Sequence, residues 1–424
     1  MQTQTTKNIT TIRTEKFKTT LIKVAFKAKL DRKTITSRVL LASVLRNSSQ
    51  KFASKTQLNA ALENLYGASL SSSAKKQGTT HVTSFYLQIV NEKFLKDTSS
   101  LFAAALDVLG EVVLNPRLKG GAFDENVLAL EARLLKEDIE AVYDDKTTYA
   151  LKKMVGEMCA TEQFGVSGDG YIEDLPEITG ATLHETYAKM RVEDDMQITV
   201  LGDVAHAEVV PLIQSYFSEE VAWREPLSAV DAEEKSIRDV VVFEEQQLVN
   251  QTKLNIGYRT KTRMTDEDYF GMLVFNGVFG AYAHSKLFVN VREKESLCYY
   301  CAAQLDHFKG LMYVYSGLDV AQVKKATAII DRQLHDVVTG DFTDEELTLA
   351  KKSIVNAKRE SLDSASGMLS DLEVGLLLGV QAEAFIEKIE QVTKADVQRV
   401  AAKIEKDTVF VLKPHEAQQA EESS

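Results

Sequence analysis

The spacing of the histidines limits which metal chemistry the chain can carry. A zinc site on a helix needs two imidazoles one turn apart on one face, with a carboxylate nearby as ligand or general base. No two histidines here lie four residues apart, so the sequence contains no such pair. A site assembled by folding from scattered histidines is left open. The seven histidines are His81, His184, His206, His284, His307, His335 and His415.

Two of the three cysteines, Cys298 and Cys301, form a C-x-x-C pair within the segment LCYYCAA. This spacing can serve redox or metal chemistry. The pair stands alone in a strand-like segment, without the second pair that a tetrahedral site needs, so we interpret both as small buried apolar residues. Three cysteines in 424 residues also indicate a reducing compartment rather than a disulfide framework.

Arg292 and Tyr299 lie in the segment SKLFVNVREKESLCYY, residues 285–300. They are seven residues apart, nearly two helical turns, so both side chains can emerge toward one side if the helix extends that far. A guanidinium offers a planar fork of donors to carbonyl or carboxylate oxygens, and a phenol can donate to a developing oxyanion. The pair could therefore grip a peptide. The alternative is a surface arginine and a buried strand tyrosine.

Charge and hydropathy exclude several classes of partner. The net charge of −12 argues against nucleic acid, because phosphate binding needs clustered Lys and Arg. No apolar stretch reaches the length of a membrane-spanning helix, and the N-terminus does not resemble a secretory signal. We expect a cytoplasmic protein without membrane contact, whose partners include peptides.

The elements that must position these residues indicate an α+β fold. Only five prolines occur, which favours long helices beside a minority of strands. The order of elements repeats, and the helix beginning FDENVLALEARL corresponds to the one beginning FTDEELTLAKKS, so we predict an internal duplication. The predicted parts are a first half at 1–220, a linker at 219–238, a second half at 239–413 and a disordered acidic tail at 414–424.

Individual elements follow from apolar periodicity and capping residues. Strands are predicted at about 20–30, 80–91, 196–202, 248–260, 298–306 and 310–317. Helices are predicted at about 36–46, 54–66, 94–114, 123–143, 145–160, 179–190, 205–217, 266–280, 284–295, 320–338 and 342–362.

The segment SKLFVNVREKESLCY closely resembles the S-x-L-F-x-x-V-R-E-K-x-x-L-x-Y signature of the insulinase/pitrilysin family of inverted-zinc peptidases. Further family-like segments, LNIGYR at 254–259 and ITGATLHETYAKMRVEDDMQITVLGDV at 178–204, extend the likeness over nearly the whole chain. The resemblance implies two homologous mixed α/β halves that enclose a clam-shell chamber. It also implies that Arg292 and Tyr299 hold substrate.

The chain departs from that family where the zinc motif H-x-x-E-H should stand. The corresponding segment, about residues 38–52, contains neither a histidine nor an acid. Both imidazole ligands and the general base are therefore missing. Glu131 is the only position that matches a family ligand, and a single carboxylate on what we interpret as a helix surface cannot hold zinc. We expect no metal on this chain.

Heterodimers of this family divide the work between a zinc-bearing chain and a chain that brings Arg and Tyr. The resemblance thus implies a zinc-free subunit, not an active peptidase alone, whose H-x-x-E-H paralogue carries the zinc. The alternatives are a non-catalytic scaffold that holds a peptide or protein in the same chamber, and a stand-alone metalloenzyme with an unorthodox site. Segments such as NEKFL, AVYDDK, EMC and NLYGASL also resemble a group in Bacillus-type bacteria associated with 5-aminopentanol modification of elongation factor P.

Overall fold

The computed structural model describes residues 2–96, 100–217, 227–231, 235 and 239–415. Within it the chain divides into two compact units, each built around one sheet. The first unit comprises Met1–Ala141 and Val166–Ala229, and the second comprises Val142–Gly165 and Val230–Ser424.

The first unit contains a six-stranded sheet in the order β1-β2-β6-β3-β5-β4. Its strands are β1 Gln2–Thr6, β2 Ile9–Arg13, β3 Thr19–Lys29, β4 Ser69–Gln77, β5 Thr80–Val90 and β6 Asp195–Gly202. Its helices are α1 Ile35–Leu45, α2 Lys55–Asn64, α3 Leu101–Leu114, α4 Glu125–Asp144, α6 Gly180–Glu193 and α7 His206–Tyr216, while α5 Lys146–Met158 belongs to the second unit.

The central strand of this sheet is β3, flanked by β6 and β5. Its apolar and β-branched residues predict a strand, and Ile22, Val24 and Phe26 are fully buried. The Ser cap predicted for the helix at 54–66 is also present, because the side chain of Ser54 accepts from the N–H of Gln57 at the start of α2.

The second unit contains a five-stranded sheet in the order β7-β11-β8-β10-β9. Its strands are β7 Val241–Gln247, β8 Thr252–Arg259, β9 Cys298–Asp306, β10 Leu311–Leu318 and β11 Glu405–Pro414. Besides α5 and a π-helix at Phe288–Lys294, its helices are α8 Tyr269–Phe279, α9 Val323–Thr339, α10 Asp344–Ser361, α11 Ala365–Leu378, α12 Ala382–Gln391 and α13 Lys394–Ala401.

The two sheets share one topology. In the first, β2 runs parallel to β6, and β6, β3, β5 and β4 follow as antiparallel neighbours. In the second, β7 runs parallel to β11, and β11, β8, β10 and β9 follow in the same way. The prediction of an α+β fold made of two homologous mixed halves is therefore confirmed, and β1 is an addition at one edge of the first sheet.

The predicted boundary between the halves differs from the division of the structure. Residues 142–165 lie within the range predicted for the first half, yet they pack with the second unit. Ala150, Met154 and Met158 of α5 form an apolar cluster with Tyr313 and Phe410 of the second sheet. The apolar face of a helix is visible in a sequence, but the sheet that this face covers is not.

The predicted linker and tail lie only partly within the residues that the structure describes. Most of the predicted linker, 219–238, lies outside the described residues, as does the tail from residue 416 onward. Pro414, assigned to the tail by the sequence, instead ends β11, where it pairs with Gln247 of β7. None of the helices in the described ranges combines the length and the apolar character that a bilayer crossing requires.

Candidate functional site

Arg292 lies on the π-helix, a rare helix type that is frequent at functional sites. The helix stops before it reaches Tyr299. Ser296 adopts a left-handed φ of 50°, and the N–H of Leu297 donates to the carbonyl oxygen of Val291 at 3.2 Å. This bond spans seven residues, one more than the six-to-one bond of a Schellman ending, and both of its apolar residues are buried. Tyr299 is consequently on β9, so the two side chains do not emerge from one helix, as the sequence allowed.

Tyr299 occupies a β-bulge at the start of β9, which is an edge strand. On the neighbouring strand Leu318 pairs with Cys298 and Gly317 pairs with Tyr300, so Tyr299 is an extra residue with no partner opposite it. A bulge inserts one residue and re-aims its side chain. Tyr299 is 79% exposed, the largest exposure among the large apolar and aromatic side chains of the described residues. The alternative of a buried strand tyrosine is therefore wrong.

The two residues beside Tyr299 show how the bulge changes the direction of the side chains. Cys298 packs against the apolar core on the helix side of the sheet, together with Leu318. Tyr300 lies on the opposite face, where its hydroxyl is 3.2 Å from Thr147 Oγ1 and its ring packs where Gly317 has no side chain. Without the inserted residue, simple alternation would send Tyr299 toward the core.

Arg292 is partly exposed and lies near the beginning of β9. Its side chain is 41% exposed, and its guanidinium lies 4.5 Å from the centre of the Phe288 ring. Its carboxylate neighbour is Glu293, with 3.7 Å between Nε and Oε1. A hydrogen bond with Cys301 lowers the pKa of Cys298, the residue immediately before Tyr299, and the positive charge of Arg292 adds to this effect. Arg292 thus presents donors at the end of the strand where Tyr299 is exposed.

Glu131, the position that matches a family zinc ligand, lies beside the segment 38–52. It is 8% exposed, so its interpretation as a helix-surface residue is wrong: it lies on the buried side of α4 with Leu128. Asn47 Nδ2 donates to Glu131 Oε1 at 2.9 Å and to the carbonyl oxygen of Ser43 at 3.0 Å. An amide donor therefore occupies the place where imidazole ligands would be needed, and these residues do not fit a zinc ion.

Arg38, in the same segment, forms a buried polar cluster that the sequence analysis missed. Its Nη2 donates to Asp194 Oδ2 at 2.6 Å, and its Nε lies 3.3 Å from Nδ1 of His81. Burial, followed by the charge of Arg38, lowers the pKa of His81 to about 3, so this imidazole is neutral at physiological pH. The signal for this cluster in the sequence was the single arginine in the apolar run SRVLLASVL, because a buried guanidinium requires a partner.

No group of three or more His, Cys, Asp or Glu side chains is placed to hold a metal ion anywhere in the described ranges. His81, which contacts Arg38 of the expected zinc segment, faces a guanidinium there. The arrangement can present hydrogen-bond donors to a substrate from the second unit. It cannot activate a metal-bound water with the residues that it brings together.

Comparison with known proteins agrees with this geometry. The family description "Peptidase M16 inactive domain" matches residues 177–354. The probable inactive metalloprotease YmfF of Bacillus subtilis (strain 168) is 39% identical over 95% of this chain and 94% of its own length. The chain belongs to the insulinase-type (M16) peptidase family. Within that family it is similar to members described as inactive.

Solved structures show the same fold. A conserved protein from Enterococcus faecalis V583 has a TM-score of 0.89 and 33% identity, with 96% of both chains covered. A peptidase M16 inactive domain from Pseudomonas fluorescens has a TM-score of 0.79 at 16% identity and covers 98% of both chains. The second likeness concerns the fold alone, and both matches include most of each of the two units.

Proposed function

We propose that this chain is the zinc-free subunit of a cytoplasmic two-chain insulinase-type peptidase. It supplies Arg292 and Tyr299 to an H-x-x-E-H paralogue that brings the zinc ion and the general base. The observation that carries the proposal is the exposure of Tyr299 on a bulge near Arg292. In the same chain, the segment 38–52 has the amide of Asn47 where the family has zinc ligands. A solitary decayed enzyme has no reason to keep an exposed aromatic side chain on an edge strand.

The two side chains have separate tasks in this proposal. The Arg292 guanidinium offers several N–H donors in one plane, which suits the carbonyl oxygens of an extended peptide. The Tyr299 hydroxyl is free to turn toward the oxygen of a scissile carbonyl, and a donor aimed at a developing oxyanion contributes up to about 4 kcal/mol to catalysis. Arg292 therefore acts mainly on substrate binding and Tyr299 mainly on turnover.

The test mixes the purified chain with the purified H-x-x-E-H paralogue and follows cleavage of a peptide library. Neither chain alone should cleave. In the mixture, Arg292→Ala should raise KM, and Tyr299→Phe should lower kcat by about 10²–10³-fold, the usual effect of removing one oxyanion donor. Unchanged kinetics for both variants in a complex that still forms would refute the proposal.

Matched controls come from the same unit. Arg359 is an exposed arginine in the last turn of α10, and Tyr143 is 48% exposed. Arg359→Ala and Tyr143→Phe should leave the activity of the mixture unchanged. A stable complex whose cleavage rate does not exceed that of the paralogue alone would instead favour the alternative function, a scaffold that holds a peptide or protein.

The cellular process that we propose for the complex is the 5-aminopentanol modification of elongation factor P. The support is the resemblance of NLYGASL at 64–70 and AVYDDK at 141–146 to the group associated with that modification. Deletion of the gene should change the intact mass of elongation factor P, and the wild-type gene should restore it. An unchanged mass would refute the link to this modification without contradicting the peptidase proposal.

A further inference from the structure

The bulge at Tyr299 brings the thiols of Cys298 and Cys301 to one face of β9. In a regular strand, residues three apart point to opposite faces and lie about 10 Å apart. Here Cys298 lies opposite Leu318 and Cys301 lies opposite Ser316, two positions along the partner strand. The two cysteines are therefore only about 6.6 Å apart along the sheet. Both face the apolar core on the helix side.

The two thiols differ in access and in protonation. Cys301 is 2% exposed, whereas Cys298 is half-buried. A hydrogen bond from the Cys301 thiol, helped by Ser316 and by the charge of Arg292, lowers the pKa of Cys298 to about 7 against the effect of burial. The same hydrogen bond and burial raise the pKa of Cys301 well above its ordinary value. A half-buried thiol of lowered pKa beside a protonated, buried thiol resembles the arrangement of a redox-active pair.

We infer that Cys298 and Cys301 form an oxidisable dithiol, in which Cys298 reacts with a hydroperoxide and Cys301 resolves the product to an intramolecular disulfide. The Cys298 thiolate attacks one peroxide oxygen, the O–O bond breaks, and the alkoxide or hydroxide leaves and takes up a proton. The Cys301 sulfur then displaces water from the Cys298 sulfenic acid. In total the two thiols lose two electrons to the hydroperoxide. The hydroperoxide is reduced to an alcohol, or to water if it is hydrogen peroxide, and one further water is released when the disulfide forms.

Disulfide formation alters the position of Tyr299. The Cα atoms of a disulfide lie 4.4–6.8 Å apart, so the spacing of about 6.6 Å set by two strand positions lies near the upper limit. Formation of the disulfide draws the two ends of the bulge together, and Tyr299 is the single residue inserted there between Cys298 and Tyr300. This coupling rests on the proposed function of Tyr299: in the mixed complex, oxidation acts on the same step as Tyr299→Phe.

The chemical test treats the intact protein with hydrogen peroxide and then alkylates the remaining thiols. Trypsin cuts after Lys294 and Lys309, so one peptide carries both cysteines. We expect this peptide to lose two hydrogen atoms and two of the three free thiols to disappear, while Cys159 is still alkylated. Oxidation of Cys298 to a sulfinic acid with Cys301 still free, or equal oxidation of Cys159, would overturn the inference.

Two variants of Cys301 distinguish a resolving thiol from a merely structural residue. Cys301→Ser and Cys301→Ala should both abolish the disulfide and leave a Cys298 sulfenic acid that dimedone traps. The pH at which Cys298 alkylation is half-maximal should rise from about 7 toward its ordinary value of 9 in Cys301→Ala, and should rise less in Cys301→Ser, whose hydroxyl can still donate. Identical pH profiles for all three proteins would contradict the proposed pairing.

The coupling to function has its own readout. Peroxide should reduce cleavage by the mixed complex, dithiothreitol should restore it, and the Cys301→Ser complex should be insensitive. A disulfide that forms without changing the activity of a Tyr299-dependent complex would disprove the coupling. If Tyr299→Phe has no effect on cleavage, the proposed function fails, while the mass of the 295–309 peptide still decides the redox chemistry.

Discussion

At the scale of single residues, the exposure of Tyr299 and the hydrogen bond between Asn47 and Glu131 both depend on contacts between distant parts of the chain. Arg292 and Tyr299 were predicted from residue type and family resemblance, and the bulge that exposes Tyr299 depends on pairing with β10, which no local pattern reveals. The absence of histidines near residues 38–52 was equally plain. That Asn47 would hold Glu131 could not be predicted, because this contact joins residues 84 positions apart.

Glu162 anchors the segment 142–165 to the second sheet through buried charges. It accepts from Arg259 Nη2 at 2.7 Å, and its other oxygen lies 2.6 Å from Lys309 Nζ. Burial by itself would raise the pKa of Glu162, but the hydrogen bonds from Arg259 and Lys309 lower it below its ordinary value. A carboxylate whose pKa is lower in the folded than in the unfolded state contributes stability above the unfolded pKa.

We therefore expect the second unit to lose stability as the pH falls below about 4.3, the ordinary pKa of Glu, and on through the lower folded pKa. Glu162→Gln should cost about 1.5–3 kcal/mol of unfolding free energy at pH 7, the usual contribution of hydrogen bonds to a charged group. Its deficit relative to the wild type should shrink below pH 4. Urea unfolding at several pH values measures both effects.

Glu157→Gln is the matched control for this change. Glu157 is on the same segment, and its carboxylate is 50% exposed and 3.3 Å from Lys153. Because exposed pairs one turn apart contribute little, this variant should change the stability at pH 7 by less than about 0.5 kcal/mol. If the unfolding free energy depends on pH in the same way in Glu162→Gln and in the wild type, other carboxylates cause the loss of stability in acid.

At the scale of elements, the long amphipathic helices were predicted closely and the polar edge strands were not. The helix predicted at 123–143 matches α4 at Glu125–Asp144, because an acidic first turn marks its start and the apolar periodicity continues to its end. The edge strands β1 and β4 were missed, because QTQTT and SLSSSAKKQ lie at a sheet edge and lack the alternation of a half-buried strand. The strands β2, β7 and β11 and the helices α11, α12 and α13 were not predicted either.

The contact of α5 with β8 depends on a glycine in the strand. A Cβ atom at Gly257 would lie 2.5 Å from Met158 Sδ and 2.7 Å from Met154 Sδ. Gly257→Val should therefore destabilise the second unit by about 1–3 kcal/mol, as other insertions into packed cores do. Thermal unfolding measures the change, which should be accompanied by faster proteolysis within 142–165.

A substitution of Gly156, on α5 itself, should have the opposite effect on stability. No atom lies within 4 Å of a Cβ placed there. Gly156→Ala should consequently stabilise the protein by about 0.5–1 kcal/mol, since glycine inside a helix carries an entropic cost. Equal effects of the two substitutions would show that the backbone entropy of glycine, rather than the close packing between α5 and β8, controls the stability of this contact.

At the scale of the whole molecule, the order of elements predicted the duplication, and the shared strand topology of the two sheets is its structural counterpart. The sequence could not assign residues 142–165, since their apolar face fits a cover for either sheet. The chain passes from one unit to the other after Ala141, Gly165 and Ala229. The second unit is therefore built from two separate stretches of sequence.

A fragment that begins at residue 227 should fail to fold cooperatively, because it lacks the helix that covers Val249, Leu311 and Phe410. Fusion of residues 142–165 to its N-terminus through a Gly/Ser linker should restore a cooperative transition. Circular dichroism during heating, with a dye that binds exposed apolar surface, distinguishes the two states. The same fusion carrying Met154→Asp and Met158→Asp is the control, and a cooperative transition without any fusion would contradict the expectation.

The placement of α5 also has a consequence for biosynthesis. The helix leaves the ribosome early, but two of its contacts, Phe410 and Leu412, belong to β11, the last of the described strands. About 250 residues separate them, which at about 5–20 residues per second is a delay of roughly 10–50 s. Until β11 is made, Met154 and Met158 cover a sheet that lacks one of its inner strands, so the nascent chain exposes apolar surface that a chaperone can bind until translation ends.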